Sequence, residues 1–172
     1  MKNIILRYGI ISSIILTLMG LINWFFIAKP LGYGASEVMG YLSMIIALST
    51  VYFGVRYYKE NDCNGIISFG QAFKVGMGIS LIPSIVMFLY TAFFFKVWGE
   101  DFKLWAEEHF QATLTPEAFV EYQKQMEAMG PLMDNLAFQG GLMFATVLII
   151  GLVVTLVVAF VLQTKEKSSR LA

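Results

Sequence analysis

Four apolar stretches, residues 8–28, 38–58, 71–95 and 136–163, govern what this 172-residue chain can fold into. A hydrocarbon core about 30 Å thick takes roughly 20 helical residues at about 1.5 Å each. The end numbers of the stretches enclose 21, 21, 25 and 28 residues, so each is long enough to reach across. Lipid offers backbone N–H and C=O groups no partners, and each stretch must therefore close its hydrogen bonds internally as a helix; strands of a closed barrel would be about half as long. The expected fold is an all-α polytopic membrane protein. It is a bundle of four transmembrane helices with an extracytoplasmic amphipathic helical segment, residues 96–135, between the third and fourth.

Composition agrees, with 58% hydrophobic and 14% charged residues against about 45–50% and about 25% in soluble domains. Residues 1–172 leave room for one bundle and one sizeable loop, hence a single membrane domain. The lone Cys63 excludes an internal disulfide. Lys2 and Arg7 flank the first stretch as they would a secretory signal, but such signals have apolar regions of about 7–15 residues. The first stretch is longer and exits through Phe25-Phe26-Ile27-Ala28-Lys29-Pro30, so it reads as a retained helix.

Formal net charge is zero, yet the charges segregate. Lys2, Arg7, Arg56, Lys59, Lys74, Lys165, Lys167 and Arg170 stand against Glu60, Asp62 and Glu166 at both termini and the second connection, a balance of +5. Lys29, Lys96, Lys103 and Lys124 stand against Glu37, Glu100, Asp101, Glu107, Glu108, Glu117, Glu121, Glu127 and Asp134, a balance of −5. Lys and Arg are retained on the cytoplasmic side during insertion. Both termini and residues 59–70 are therefore expected inside, with residues 96–135 outside. Trp24, Tyr33, Tyr41, Tyr90 and Trp98 would then mark the outer interface, and Tyr8, Tyr57 and Tyr58 the inner one.

Without a hydrophobic drive between helices in lipid, small residues mark close packing. In the third span Ala72, Gly76, Ser80 and Ser84 recur every four residues. Shorter series are Gly9-Ser13-Thr17 in the first span, and Ala137-Gly141-Ala145 and Gly151-Thr155-Ala159 in the fourth. Such a stripe serves either a partner or dimer face or packing within the chain, and four helices in one chain already need the latter. Pro83, inside the third span, removes a backbone donor and predicts a kink. Gln71, Lys74, Asn23 and Gln139 all lie within reach of an interface, and no acid, histidine or arginine occupies mid-span. That pattern disfavours an ion-coupled pump.

In residues 96–135 the apolar positions take a helical period: Phe102, Trp105, Ala106, His109 and Phe110, then Phe119, Tyr122, Met126 and Met129. Thr115-Pro116-Glu117 reads as a helix start and Gly130-Pro131 as a stop. Two amphipathic helices forming a hairpin are expected, either separate from the third and fourth spans or continuing out of them, rather than helices lying on the lipid, because an anionic face is repelled by acidic headgroups. Met126, Met129 and Met133 with His109 are soft metal-ligand types, but methionine at helical spacing is packing material and one histidine makes no metal pattern. No metal and no cofactor is expected. The sequence has no G-x-S-x-G, no P-loop and no histidine cluster, so no catalytic residues are assigned and the chain is read as no enzyme. The basic residues form no concentrated patch, which disfavours nucleic acid.

The run Gly65-Ile66-Ile67-Ser68-Phe69-Gly70-Gln71-Ala72-Phe73-Lys74-Val75-Gly76, with the opening Lys2-Asn3-Ile4-Ile5-Leu6-Arg7-Tyr8-Gly9, resembles a family of small bacterial inner-membrane proteins, the domain of unknown function 4199. The likeness covers nearly the whole chain. It implies a four-helix membrane protein with an enlarged connection before the last helix, and brings no active site with it. Ser68 is placed to cap the third helix, with Gln71 and Lys74 on its first turns, so these three residues are a candidate headgroup or anion contact. The expected role is structural, accessory or partner-binding in the bacterial cytoplasmic membrane. The partners are the lipid bilayer and either another protein or a second copy, met through the spans or the acidic outer segment. The alternative is a small transporter or channel subunit built on the Pro83-kinked third helix.

Overall fold

A computed structural model describes residues 1–164, and Lys165, Glu166, Lys167 and Arg170 of the basic balance lie outside the described residues. The order is α1 (Lys2–Ile22), a π-helical turn (Asn23–Ala28), α2 (Lys29–Leu31), α3 (Tyr33–Asn61), α4 (Phe69–Thr113), α5 (Pro116–Met133) and α6 (Leu136–Leu162). The described residues are all helix and connection, with no strand. Among the described residues four helical runs are long and apolar enough to cross a membrane: Lys2–Leu31, Tyr33–Asn61, Phe69–Thr113 and Leu136–Leu162.

Local chemistry sets the ends of these helices. Gly32, at φ +83°, breaks the run from α2 into α3 in a conformation that side chains with a Cβ rarely adopt. Asn64 and Gly65, both at positive φ, turn the chain from α3 toward α4. Ser68 starts α4 with a capping box: its hydroxyl accepts from the Gln71 N–H, and the Gln71 side chain accepts from the Ser68 N–H at 3.0 Å. Thr115 caps α5 with Pro116 in its first turn. Asn135 caps α6, accepting from the Ala137 and Phe138 amides at 3.0 and 3.2 Å.

The structure decides between the two expected forms of the outer segment and moves one helix end. The third stretch and the first amphipathic helix are one uninterrupted 45-residue helix, about 68 Å long and so more than twice the thickness of a hydrocarbon core. Nothing between Phe95 and Phe102 breaks it, because a lone Gly99 costs only about 1 kcal/mol relative to alanine. The stop expected at Gly130-Pro131 falls instead at Met133. Pro131 removes a donor only one turn before the end, and the Asp134 N–H still reaches the Gly130 carbonyl at 2.8 Å.

The interior forms three layers. Leu48, Val51, Val55, Ile67, Val75, Ile79, Val158 and Leu162 pack at one end, and Leu16, Ala47, Met87 and Val147 in the middle. Trp24, Ala28 and Phe94 pack at the other end. Eight hydroxyl residues are buried among these layers: Ser12, Ser13, Ser43, Thr50, Ser80, Ser84, Thr91 and Thr155. Most bond a carbonyl of their own helix, as Ser13 does to Gly9 at 2.8 Å and Ser84 to Ser80 at 2.9 Å. Ser12 instead crosses from α1 to the Ala47 carbonyl of α3 at 2.9 Å. Large apolar side chains face outward: Ile10, Ile14, Leu18 and Ile22 on α1, Leu42 and Ile45 on α3, Leu81, Ile85 and Leu89 on α4, Val153, Val157 and Phe160 on α6. The core is apolar as in a water-soluble protein, but the surface of the long helices is apolar as well, where a water-soluble one would be mixed with charge.

Candidate functional site

The stripe Ala72, Gly76, Ser80 and Ser84 is buried along its whole length, and α6 covers it. A Cβ on Gly76 would meet the Thr155 methyl at 2.6 Å, and one on Gly151 would meet the Ser80 Cβ at 2.7 Å. Ser80 donates to the Gly76 carbonyl at 3.1 Å and lies 3.4 Å from both the Gly151 carbonyl and the Thr155 hydroxyl. Gly151, Thr155 and Ala159 are buried, while Ala137 is exposed and nothing lies within 4 Å of a Cβ on Gly141. Gly140 is the close approach instead: a Cβ there would lie 2.8 Å from the Phe88 carbonyl oxygen of α4. Sequence spacing chose Gly141 because it continued a four-residue series. Its neighbour faces α4 because contact with a straight partner drifts around the helix. Pro83 is buried beside the stripe, and α4 continues through it.

Of the three residues assigned to a headgroup, Ser68 and Gln71 are engaged with each other in the capping box, and Lys74 is exposed one turn further along. Nearby, Lys59 donates to the Leu162 carbonyl at 2.9 Å, and the Met1 amine lies 3.1 Å from Asp62.

The opposite end carries the feature that sequence reading missed. The π-helical turn Asn23–Ala28 widens α1 by one residue per turn, a rare form that recurs at functional positions. Its Trp24 ring is 4% exposed and meets Phe94, Phe102 and Trp105 at centroid distances of 5.3, 5.8 and 5.7 Å. Trp105 donates its indole N–H to the Ala28 carbonyl at 3.1 Å, and the Asn23 amide donates to Ser36 of α3 at 3.0 Å. Lys29 lies over the Trp24 ring at 5.3 Å. No simple sequence period announces a π-turn, though the adjoining aromatic residues were a signal.

Tyr33, at the start of α3, stacks between Trp105 and His109 at 5.6 and 5.1 Å. This contact fixes the lone histidine as part of an aromatic stack. Phe110 meets Tyr122 of α5 at 4.6 Å, and Gln123 donates to Glu107 at 3.4 Å, which folds α5 back along the end of α4. Packing against these groups desolvates Tyr122, and with Glu107 nearby its phenol is pushed above the usual tyrosine range. α5 buries no residue: Val120, Met126, Met129 and Leu132 are exposed on it together with Glu117, Glu121 and Glu127. Met133 meets the Gln139 amide through its carbonyl and its sulfur, at 3.0 and 3.4 Å. The arrangement is a helical arm braced at its base by aromatic stacking, with acids and apolar side chains on its free surface.

A family described as "Protein of unknown function (DUF4199)" matches residues 7–164. No curated protein and no solved structure matches the chain.

Proposed function

We propose, on the premise that the chain belongs to the family of proteins of unknown function DUF4199, that it is a four-span protein of the bacterial cytoplasmic membrane whose α4–α5 arm docks a partner protein outside. The observation that carries this reading is the apolar outer surface. All four long helices expose large apolar residues along their outer faces, while buried hydroxyls and glycines join the apolar side chains at their contacts, an arrangement suited to a lipid surround. Charge segregation supports an orientation with both termini inside and α5 outside. The role is structural or accessory, with no chemistry assigned to any side chain. Close packing on the turns before Pro83, where a Cβ added at Gly76 would meet the Thr155 methyl and one added at Gly151 would meet the Ser80 Cβ, favours this role over a small transporter or channel.

Two measurements test the reading. Alkaline phosphatase fused within the Leu114–Pro116 connection should be active and a fluorescent protein fused after Thr164 should fluoresce, whereas the reverse pattern would sink the orientation. A photo-crosslinking residue at Val120 or Met126 should capture a discrete partner from intact membranes. The same residue at the lipid-facing Ile45 should not, and equal labelling from both would sink the docking role.

A further inference from the structure

Where α4 leaves its apolar stretch, a polar cleft of about 460 Å³ opens between α4 and the turn joining α5 to α6. Lys96, Glu100, Asp101 and Lys103 line one wall and Asp134 the other, with Gly99 between them. We propose that this cleft holds the headgroup of a zwitterionic phospholipid with a primary amine, its phosphate on Lys96 and its ammonium on Glu100 and Asp101. The inference rests on the membrane placement proposed above.

Charge accounting selects the ligand. Lys103 pairs with Asp134, tying α4 to the start of α6 and closing the far wall. Lys96 and Glu100 stand four residues apart on one helix face, a spacing that permits pairing, yet among the described residues neither belongs to an ion pair. One cation and two acids are thus left facing the cleft. A phosphate beside an ammonium matches that set. An anionic lipid without an amine would add negative charge to a site already carrying an excess of it. A choline headgroup has no N–H to donate to the carboxylates, whereas a primary ammonium has three.

The surface below the cleft suits the rest of such a molecule. Leu89, Phe93 and Val97 are 61%, 58% and 50% exposed and recur every four residues on α4. Val97 lines the cleft, and Asp101 continues the same series. An apolar strip about 12 Å long, eight residues at about 1.5 Å each, therefore runs straight into the charged group. Acyl chain and headgroup are met in the order and on the side of α4 that the bilayer would present them.

The test is lipid retention by the purified full-length chain, exchanged in detergent against phosphatidylethanolamine, phosphatidylcholine or phosphatidylglycerol and read by native mass spectrometry. Phosphatidylethanolamine should be retained roughly five- to ten-fold more than either competitor, the net size of one ordinary hydrogen bond. Lys96→Ala with Glu100→Gln should abolish the preference, and Lys2→Ala, an exposed cation at the opposite end of the bundle, should leave it intact. Equal retention of the three lipids, or a preference indifferent to the double variant, would overturn the proposal. Displacement of the lipid by soluble glycerophosphoethanolamine at equal concentration would overturn the lipid as the source and assign a free phosphoamine. Release of the chain from membranes by carbonate would overturn the membrane reading and the cleft with it; retention in the membrane without lipid preference would overturn the cleft alone.

Discussion

Two adjacent glycines on α6 should respond in opposite senses to the same added methyl. Replacing glycine by alanine in a helix gains about 1 kcal/mol from backbone propensity, and this gain is common to Gly140→Ala and Gly141→Ala. At Gly141 the new Cβ enters open space, with nothing within 4 Å. At Gly140 it would lie 2.8 Å from the Phe88 carbonyl oxygen, about 0.6 Å short of ordinary contact at 3.4 Å. The two nearest ring atoms of Phe88, at 3.0 and 3.1 Å, can turn aside. The carbonyl cannot, because it belongs to the backbone of α4. The helices must separate there, and overpacking of this kind costs about 1–3 kcal/mol. Since propensity cancels between neighbours, Gly140→Ala should be less stable than Gly141→Ala by about 2 kcal/mol, a ratio of roughly 30 in the unfolding equilibrium. Reversible unfolding of the full chain from mild micelles into sodium dodecyl sulfate, followed by circular dichroism, reads that ratio. If Gly140→Ala proves as stable as Gly141→Ala, the close approach of α6 to α4 at Phe88 is not part of the fold.

Ser80→Ala should cost only about 0.5–1 kcal/mol in the same assay, because its shortest bond is to its own helix and its links to α6 are at 3.4 Å. Trp105→Phe keeps an aromatic ring but loses the bond to Ala28, and should cost about 1 kcal/mol; in a Trp98→Phe background, which leaves Trp24 as the sole tryptophan of the variant, loosening of the aromatic nest should appear as a red shift and greater quenching of its fluorescence. Alkali should weaken the α4–α5 hairpin through Tyr122. With its phenol raised in the folded state, its contribution is fully present below the ordinary pKa of about 10 and is lost as pH climbs through the higher folded value. Tyr122→Phe should move alkaline opening, monitored by protease nicking at the Leu114–Pro116 connection, to higher pH; an unchanged profile would exclude Tyr122 as the responsible group.

Length and apolar content were enough to place four helices and their approximate spans, because a hydrocarbon core sets a length and lipid leaves the backbone no other way to pair. The caps Ser68 and Thr115 with Pro116 were equally legible, because they act within a few residues of chain, where sequence and geometry nearly coincide; the return bond from Gln71 that completes the box at Ser68 came from the structure. Small-residue spacing identified the Gly76 and Ser80 stripe and Gly151-Thr155-Ala159, but not which of two neighbouring glycines, Gly140 or Gly141, meets α4. That choice depends on the relative rotation of two helices, which only their joint packing sets. Whether α4 runs on into the outer segment stayed open in the sequence for a different reason, since a change from apolar to amphipathic composition marks a change of surroundings and not the end of a helix.

The sequence by itself determined that the chain is helical, that four of its helices are long and apolar enough to cross a bilayer, and that its charges divide into two opposed groups. These properties are local or additive along the chain. Only the tertiary structure decided that Tyr33 would stack on His109, that Trp24 would sit in a π-turn beneath Trp105, and that Lys96, Glu100 and Asp101 would share a cleft with Asp134. Tyr33 and His109 are far apart in the chain, and the contact exists because α1, α3 and α4 converge at one end. Such contacts depend on how several helices are rotated and shifted at once, and no periodicity within a single helix encodes that.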